Sequence, residues 1–365
     1  MKKNALALPL LAGLALGPAW ASGVTDALDR PAVRTRAAAH SVLLAVTSAG
    51  KRLVAVGERG IVILSDDAGK TWRQAKVPTS VSLTAVEFPS ARKGWAVGHA
   101  GVVLHTEDGG ETWSRQLDGA AAAKLALDTA EAKQADRRTG AAAPKLLAEA
   151  QRLVADGPDK PFLALHFESE TTGFVVGAYN LIFRTEDGGK SWKSWLDRVD
   201  NPKGLHLYAI GAVGKALYLA GEQGLLLRSS DGGNSFQRLA TPYGGTYFNL
   251  AATRSGDLVL AGLRGNAYRT TDQGKTFTRI DAPVPISFSA TATLPDGTLL
   301  LANQAGMLFE SRDGGRSLRS LPSRLPPVAG LAPLEDGSVV AVGHAGAVKI
   351  LLTGIVPGTR AGGLR

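Results

Sequence analysis

The sequence predicts an all-β fold, a seven-bladed β-propeller carrying one α-helical hairpin between blades two and three. Three observations predict it. A Gly-x-x-Gly string between apolar runs recurs seven times, an acidic turn motif recurs six times, and the two alternate with a period near 41 residues along the 365-residue chain. Self-similarity at such a period marks a repeat architecture, whose units cannot bury their faces alone and must stack on neighbours.

The chain opens with Lys2 and Lys3, an apolar stretch over residues 5–16, and Ala19-Trp20-Ala21. This is the pattern of a cleaved secretory signal; the apolar stretch is shorter than the ~20 residues of a spanning helix, and no Cys follows to carry a lipid. Residues 1–21 are therefore expected to be a signal peptide, and the remainder a periplasmic protein. Residues 22–39 are expected to supply the closing strand of blade seven. The propeller is expected over residues 40–353, with a flexible tail at 354–365.

The hairpins begin at Gly57, Gly98, Gly177, Gly221, Gly262, Asn303 and Gly343, spaced 41, 79, 44, 41, 41 and 40 residues. Gly supplies the positive φ of such turns and Asn tolerates it. The second motif, [ST]-x-D-x-G-x-[ST]-[WFL], centres on Asp67, Asp108, Asp187, Asp231, Asp272 and Asp313. Each carboxylate and hydroxyl is expected to accept or share bonds with turn amides, a structural role. One more strand before each Gly-x-x-Gly completes a four-stranded sheet. A column of mostly small residues (Ala45, Ala85, Ala164, Ala209, Leu250, Ala290 and Gly330) suits the crowded innermost strands. Blade seven runs out after residue 352, short of its outermost strand.

The 79-residue spacing holds one period plus an insertion at 117–160, rich in Ala, Leu, Lys and Asp. Leu146, Leu147, Ala150, Leu153 and Val154 share one helical face, so the insertion reads as an α-hairpin, with Gly140 near its middle.

Composition narrows the function. With no Cys, the chain has no disulfide framework, thiolate metal site or thiol catalysis. Aromatic residues, at 6%, are too few for a single-strand nucleic-acid platform, and the +9 charge better suits anionic headgroups or an acidic protein segment. The six His show no i, i+2 or i, i+4 pair, so no metal site is expected, nor any cofactor.

The acidic motif matches the Asp box, or bacterial neuraminidase repeat, and the ring as a whole resembles the photosystem II stability/assembly factor family. The strings that carry the likeness include Ala96-Val97-Gly98-His99-Ala100-Gly101 and Thr106-Glu107-Asp108-Gly109-Gly110. The resemblance covers about residues 40–353 apart from the insertion. It implies a non-enzymatic scaffold that binds a membrane protein complex; by itself the chain is expected to be a monomer. Relatives in non-photosynthetic bacteria make a transport system one candidate, and peripheral contact with an anionic membrane surface another. The alternative is a secreted glycan-binding protein or a glycoside hydrolase of sialidase or xyloglucanase type. No Arg-Ile-Pro signature is present, and Glu58 and Glu222 sit on turns three blades apart, where a hydrolase needs two carboxylates across one bond.

In propellers the Gly-x-x-Gly turns share one face and the Asp boxes the other. Partner-binding candidates on the turn face are Glu58, Arg59, His99, Tyr179, Glu222, Arg264 and His344, with Gln223, Gln304 and residues 243–247 beside them and the insertion alongside. A second candidate surface is a basic column, Arg184, Arg228 and Arg269, with His105 at the matching place in blade two. Arg312, Arg316, Arg319 and Arg324 form a further cluster near Asp313. Arg suits interfaces because its planar fork grips carboxylates.

Overall fold

The computed structural model describes residues 26–136 and 143–352. The expected signal peptide, the tail at 354–365 and Gly140 lie outside these residues. Blade one consists of Leu43–Ala49, Arg52–Gly57, Val62–Ser65 and Arg73–Gln74, antiparallel in that order. Five further sheets repeat the four strands, and blade seven has three, Val328–Pro333, Val339–Gly343 and Gly346–Ile350. Each innermost strand packs on the next, and Leu43–Ala49 of blade one touches Val328–Pro333 of blade seven, so the ring is closed.

The second strand of each blade is a mostly apolar run, such as Leu258–Gly262 or Val339–Gly343, buried along its length except at the half-buried Arg52 that opens it in blade one. Neighbouring blades cover both of its faces, which is why it reads as a continuous apolar stretch and not as an alternation. Clusters of apolar side chains bridge successive blades. Trp95 of blade two, fully buried, stacks on Phe167 of blade three with ring centroids 3.8 Å apart. Full burial of one such side chain stabilises the fold by roughly 1.5–3 kcal/mol, so adjoining blades hold one another.

Every innermost strand carries a bulge one residue after its first paired position, as between Leu43 and Ala45. This corrects the small-residue column in blade five. Asn249, paired with Ala261, takes the place of Ala45, and Leu250 lies one residue further on. Counting back from the turn glycine misplaces this position, because Leu43 pairs with Gly57, 14 residues on, whereas Tyr247 pairs with Gly262, 15 residues on, and a one-residue offset moves a strand position to the other face.

The expected closing strand is also corrected. The described part of the leader, residues 26–40, forms turns, extended coil and a short 3-10 turn at Ala38–His40, and pairs with no sheet. It runs as a strap along the outer edge of blade one. Ala32 N donates to Val77 O at 3.1 Å, Thr35 N donates to Gln74 Oε1 at 2.9 Å, and Gln74 Nε2 donates to Val33 O at 3.0 Å. The strap then meets blade seven, where a Cβ on Gly346 would lie 1.9 Å from Ala39 O. Pro31 has no N–H to give a strand ladder, and Gln74 draws the following residues toward blade one.

The insertion is a helical hairpin, α1 (Gly119–Ala135) and α2 (Ala143–Asp156). The Asp118 carboxylate caps α1 by accepting from Ala121 N at 3.0 Å. Ala122, Ala126 and Ala130 of α1 and Ala150 of α2 are buried with Trp192 and Phe162, which fastens the hairpin to blade three. Lys133 pairs with Asp197, and Lys145 donates to Pro202 O.

Candidate functional site

At the Asp-box end all six motifs close in the same way. In blade one, Ser65 Oγ donates to Asp67 Oδ1 at 2.8 Å and accepts from Gly69 N at 2.8 Å; Thr71 N and Oγ1 donate to the two carboxylate oxygens at 2.9 and 2.6 Å. Asp108, Asp187, Asp231, Asp272 and Asp313 repeat the bonds with their own hydroxyls. The Thr71 hydroxyl and amide hold the Asp67 carboxyl down at about 2. At Asp231 burial pushes upward, but the Ser229 and Ser235 hydroxyls and nearby amides together outweigh it and leave about 2. These acids are spent on their own loops, in the structural role expected of them.

The basic column is corrected from a docking patch to a set of internal braces. Arg184 is only 9% exposed; it donates to Asn234 Oδ1 of the next blade at 3.1 Å and lies over the Phe174 and Trp195 rings at 5.4 and 5.0 Å. Arg228 bonds to Gln273 of the next blade. Arg269 meets Asp257 at 2.6 Å, both nearly buried. His105 lies against Trp95 with ring centroids 4.6 Å apart, and burial lowers its pKa. The third strand points these side chains into the seam between blades, a direction that one-dimensional spacing does not show. In the Arg312 cluster the missing acid is Glu310, 4% exposed, which pairs with Arg312 at 3.2 Å and with Arg319.

The turn face is built differently. The first Gly of the turn is extended in blades one to five, but a Cβ on Gly57 would lie 2.1 Å from Val42 O, so the turn folds tightly onto the strand before it. The third residue is left-handed in five blades, with φ of 51–56° at Arg59, Ala100, Tyr179, Gln223 and Arg264. Non-glycine residues rarely adopt that conformation, at about 1–2 kcal/mol each. It throws the side chains of Arg59, Tyr179, Gln223 and Arg264 outward, while Ala100 packs against the apolar cluster of blades one and two. Glu58, Arg59, His99, Arg264 and His344 are exposed, and their side chains make no hydrogen bond or ion pair with another described residue, although Arg264 N donates to Ser287 Oγ at 3.1 Å. Glu222 is the exception, since its carboxylate accepts from His206 N at 2.9 Å.

The turn face also holds a feature that motif reading passed over. Tyr179, 59% exposed, meets His206 edge-on at 4.6 Å; Tyr208 and Phe248 continue the run at 6.1 and 5.3 Å. Tyr208 and Phe248 occupy the bulge position of blades four and five. At that position in blades two and six, Thr84 and Ser289 bond the next innermost strand at Phe162 O and Val328 O. Aligning the innermost strands on one another would have exposed the pattern. The insertion leaves and rejoins the ring beside this face, where a Cβ on Gly119 would lie 2.8 Å from Pro158 and 2.9 Å from Ala100 O. Its body is packed on blade three. Among the described residues no group of three His, Asp or Glu is placed to hold a metal ion, and no helix is long and apolar enough to cross a membrane.

Seven sheets closed in a ring, six of them locked by an acid-centred turn, define an Asp-box propeller. The family model described as photosynthesis system II assembly factor YCF48 matches residues 29–142 and 148–285, and the chain belongs to that family. The photosystem II assembly lipoprotein Ycf48 of Synechococcus sp. (strain CC9902) is 34% identical over 77 residues, 21% of this chain, and the match spans 23% of that protein's length. Among solved structures, YCF48 bound to D1 peptide superposes with a TM-score of 0.62 at 16% identity, over 88% of this chain and 99% of that one. YCF48 from Cyanidioschyzon merolae gives 0.62 at 17% identity, over 87% and 97%. A streptogramin B lyase reaches 0.64 at 12% identity, over 86% and 94%, so superposition speaks for the fold, and the family match for the kind of propeller.

Proposed function

We propose that this chain is a non-enzymatic, periplasmic accessory factor that docks a segment of a membrane protein complex on its turn face. The observation that carries the reading is the division of labour between the two ends of the ring. The six motif acids and the arginines of the basic column are committed to turns and seams, whereas the side chains of Glu58, Arg59, His99, Arg264 and His344 are exposed and uncommitted among the described residues. Family membership adds to this, because the solved YCF48 that shares the fold is described as bound to D1 peptide. The mixture of charge, Tyr179 and a tightly braced backbone suits recognition of a protein segment. A transport system is one candidate complex, and the Lys2-Lys3 leader supports export to the periplasm.

Affinity-tagged protein, mixed with detergent-solubilised membranes of the source organism, tests it. Integral membrane subunits should be enriched by the wild type and lost with Tyr179→Ala/Arg264→Glu. Fractionation should find the protein outside the cytoplasm with a new N-terminus near Ser22. Equal capture by the variant, or a cytoplasmic full-length chain, would overturn the reading.

A further inference from the structure

The strap and blade one enclose a groove of about 790 Å³ on the turn face. Its apolar lining includes Val33 on the strap, 71% exposed, with Val42 and Ile61 on the blade. Basic side chains stand at its rim. Arg30, whose Nε donates to Ser80 Oγ at 3.1 Å, His40 and Arg59 line it, and Arg34 and Arg36 follow on the exposed strap. Glu58 is the acid that lines it, and neither Glu58 nor Arg59 is spent on an ion pair among the described residues.

A groove of this size takes several residues of chain, larger than one side chain and within the usual range of binding clefts. The occupant must bring apolar side chains for Val33, Val42 and Ile61 and negative charge for the rim. The protein's own termini do not fit. Residues 1–25 carry Lys2 and Lys3 and no acid, and residues 353–365 carry Arg360 and Arg365 and no acid. A second copy of this basic chain meets the same repulsion. We propose that the strap–blade-one groove is the seat of an extended, acidic peptide segment whose apolar residues enter the groove while its carboxylates meet Arg59, Arg30 and His40. The proposal rests on the docking function above and names the chemistry of the segment docked.

The test uses a fluorescein-labelled short peptide alternating Glu with Leu and Phe, and a counterpart with Lys for Glu, in anisotropy titrations against the full chain. The acidic peptide should bind, more weakly as salt screens the rim, and the Lys peptide should not. Arg59→Glu and Val33→Asp, both at exposed positions and checked for an unchanged melt, should each weaken binding on the order of tenfold. Equal binding of the two peptides, or wild-type affinity in both variants, overturns the groove. So does binding of phosphatidylglycerol vesicles that the variants abolish while neither peptide binds, which would assign the rim to lipid. In the membrane capture, subunits retained by Arg59→Glu/Val33→Asp refute the groove and leave the docking function standing. Variant-sensitive peptide binding with no membrane subunit captured by the wild type refutes the docking function and leaves the groove.

Discussion

The two ends of the ring are made from similar residues in opposite circumstances. At the Asp-box end Arg184 and Asp231 lie among fixed partners, in a seam or a closed turn. At the turn end Arg59 and Arg264 stand outward on left-handed backbone with no bonded partner for their guanidinium groups among the described residues. The difference shows that residue type does not decide the role of a charge in a repeat protein. Position within the repeat decides it, because the third strand aims side chains at the next blade and the turn aims them at solvent.

The sharpest way to break this contrast is to reverse one arginine at each end. Arg184→Glu leaves an unpaired acid against Phe174, Trp195 and Asn234, and loss of a buried partnered charge destabilises by about 3–5 kcal/mol. Arg59→Glu should stay within about 0.5 kcal/mol, as exposed sites usually do. Urea melts of the two variants check it, and similar losses in both would end the distinction between the faces.

The strap comes next. Removing residues 31–38 takes away its bonds to Val77 and Gln74 and the buried Ala38. Bonds of this kind contribute about 0.5–1.5 kcal/mol each, so a loss of roughly 2 kcal/mol and a melting point lower by several degrees are expected. The ring itself should persist, because the innermost strands of blades one and seven touch without the strap. A melting curve and a circular dichroism spectrum distinguish a loosened ring from an opened one, and an unchanged melting point would remove the strap from the account of stability.

Much of this architecture was legible in the sequence, for a physical reason. Tight turns demand Gly, or Asn in its stead, at the positions of Gly57 and Gly60, and six of the seven repeats keep an acid at that of Asp67, so the pattern survives where the strands between vary. The side-chain directions were not legible. Arg228 and Arg264 are both arginines at fixed offsets from a Gly, yet one lies in a seam and the other in solvent. The one-residue longer spacing to Gly262 that puts Asn249 in the place given to Leu250 left no local mark either, since both positions read as strand. The groove needed the strap's path, which is set by Gln74 reaching residues 41 and 39 places earlier in the chain.

Acid sharpens the comparison from the other side. The Asp67 and Asp231 carboxyls sit at about 2 in the folded protein, against 3.8 for a free Asp. Their folded values are depressed, so the stability they contribute is fully present above pH ~4 and is lost as pH falls through ~2. Urea midpoints at successive pH values should fall in that window, and Asp231→Asn, which cannot titrate, should fall less steeply from a lower start. An unchanged slope would mean that the boxes do not carry the acid sensitivity.

The smallest effect concerns the left-handed turn residues and has the opposite sign. Arg264 holds φ of 56° and makes no side-chain hydrogen bond with a described residue. Glycine adopts that conformation without the Cβ clash, which is worth about 1–2 kcal/mol, although its freer unfolded chain takes back about 0.4–1 kcal/mol. Arg264→Gly should therefore leave stability unchanged or raise it by roughly 0.5–1 kcal/mol, while weakening capture of the membrane partner. A turn shaped only for stability would carry Gly there, so a side chain kept at that position against its backbone preference is the expected mark of a binding surface. If Arg264→Gly melts lower than the wild type, the arginine braces the fold, and the turn face is a second structural end.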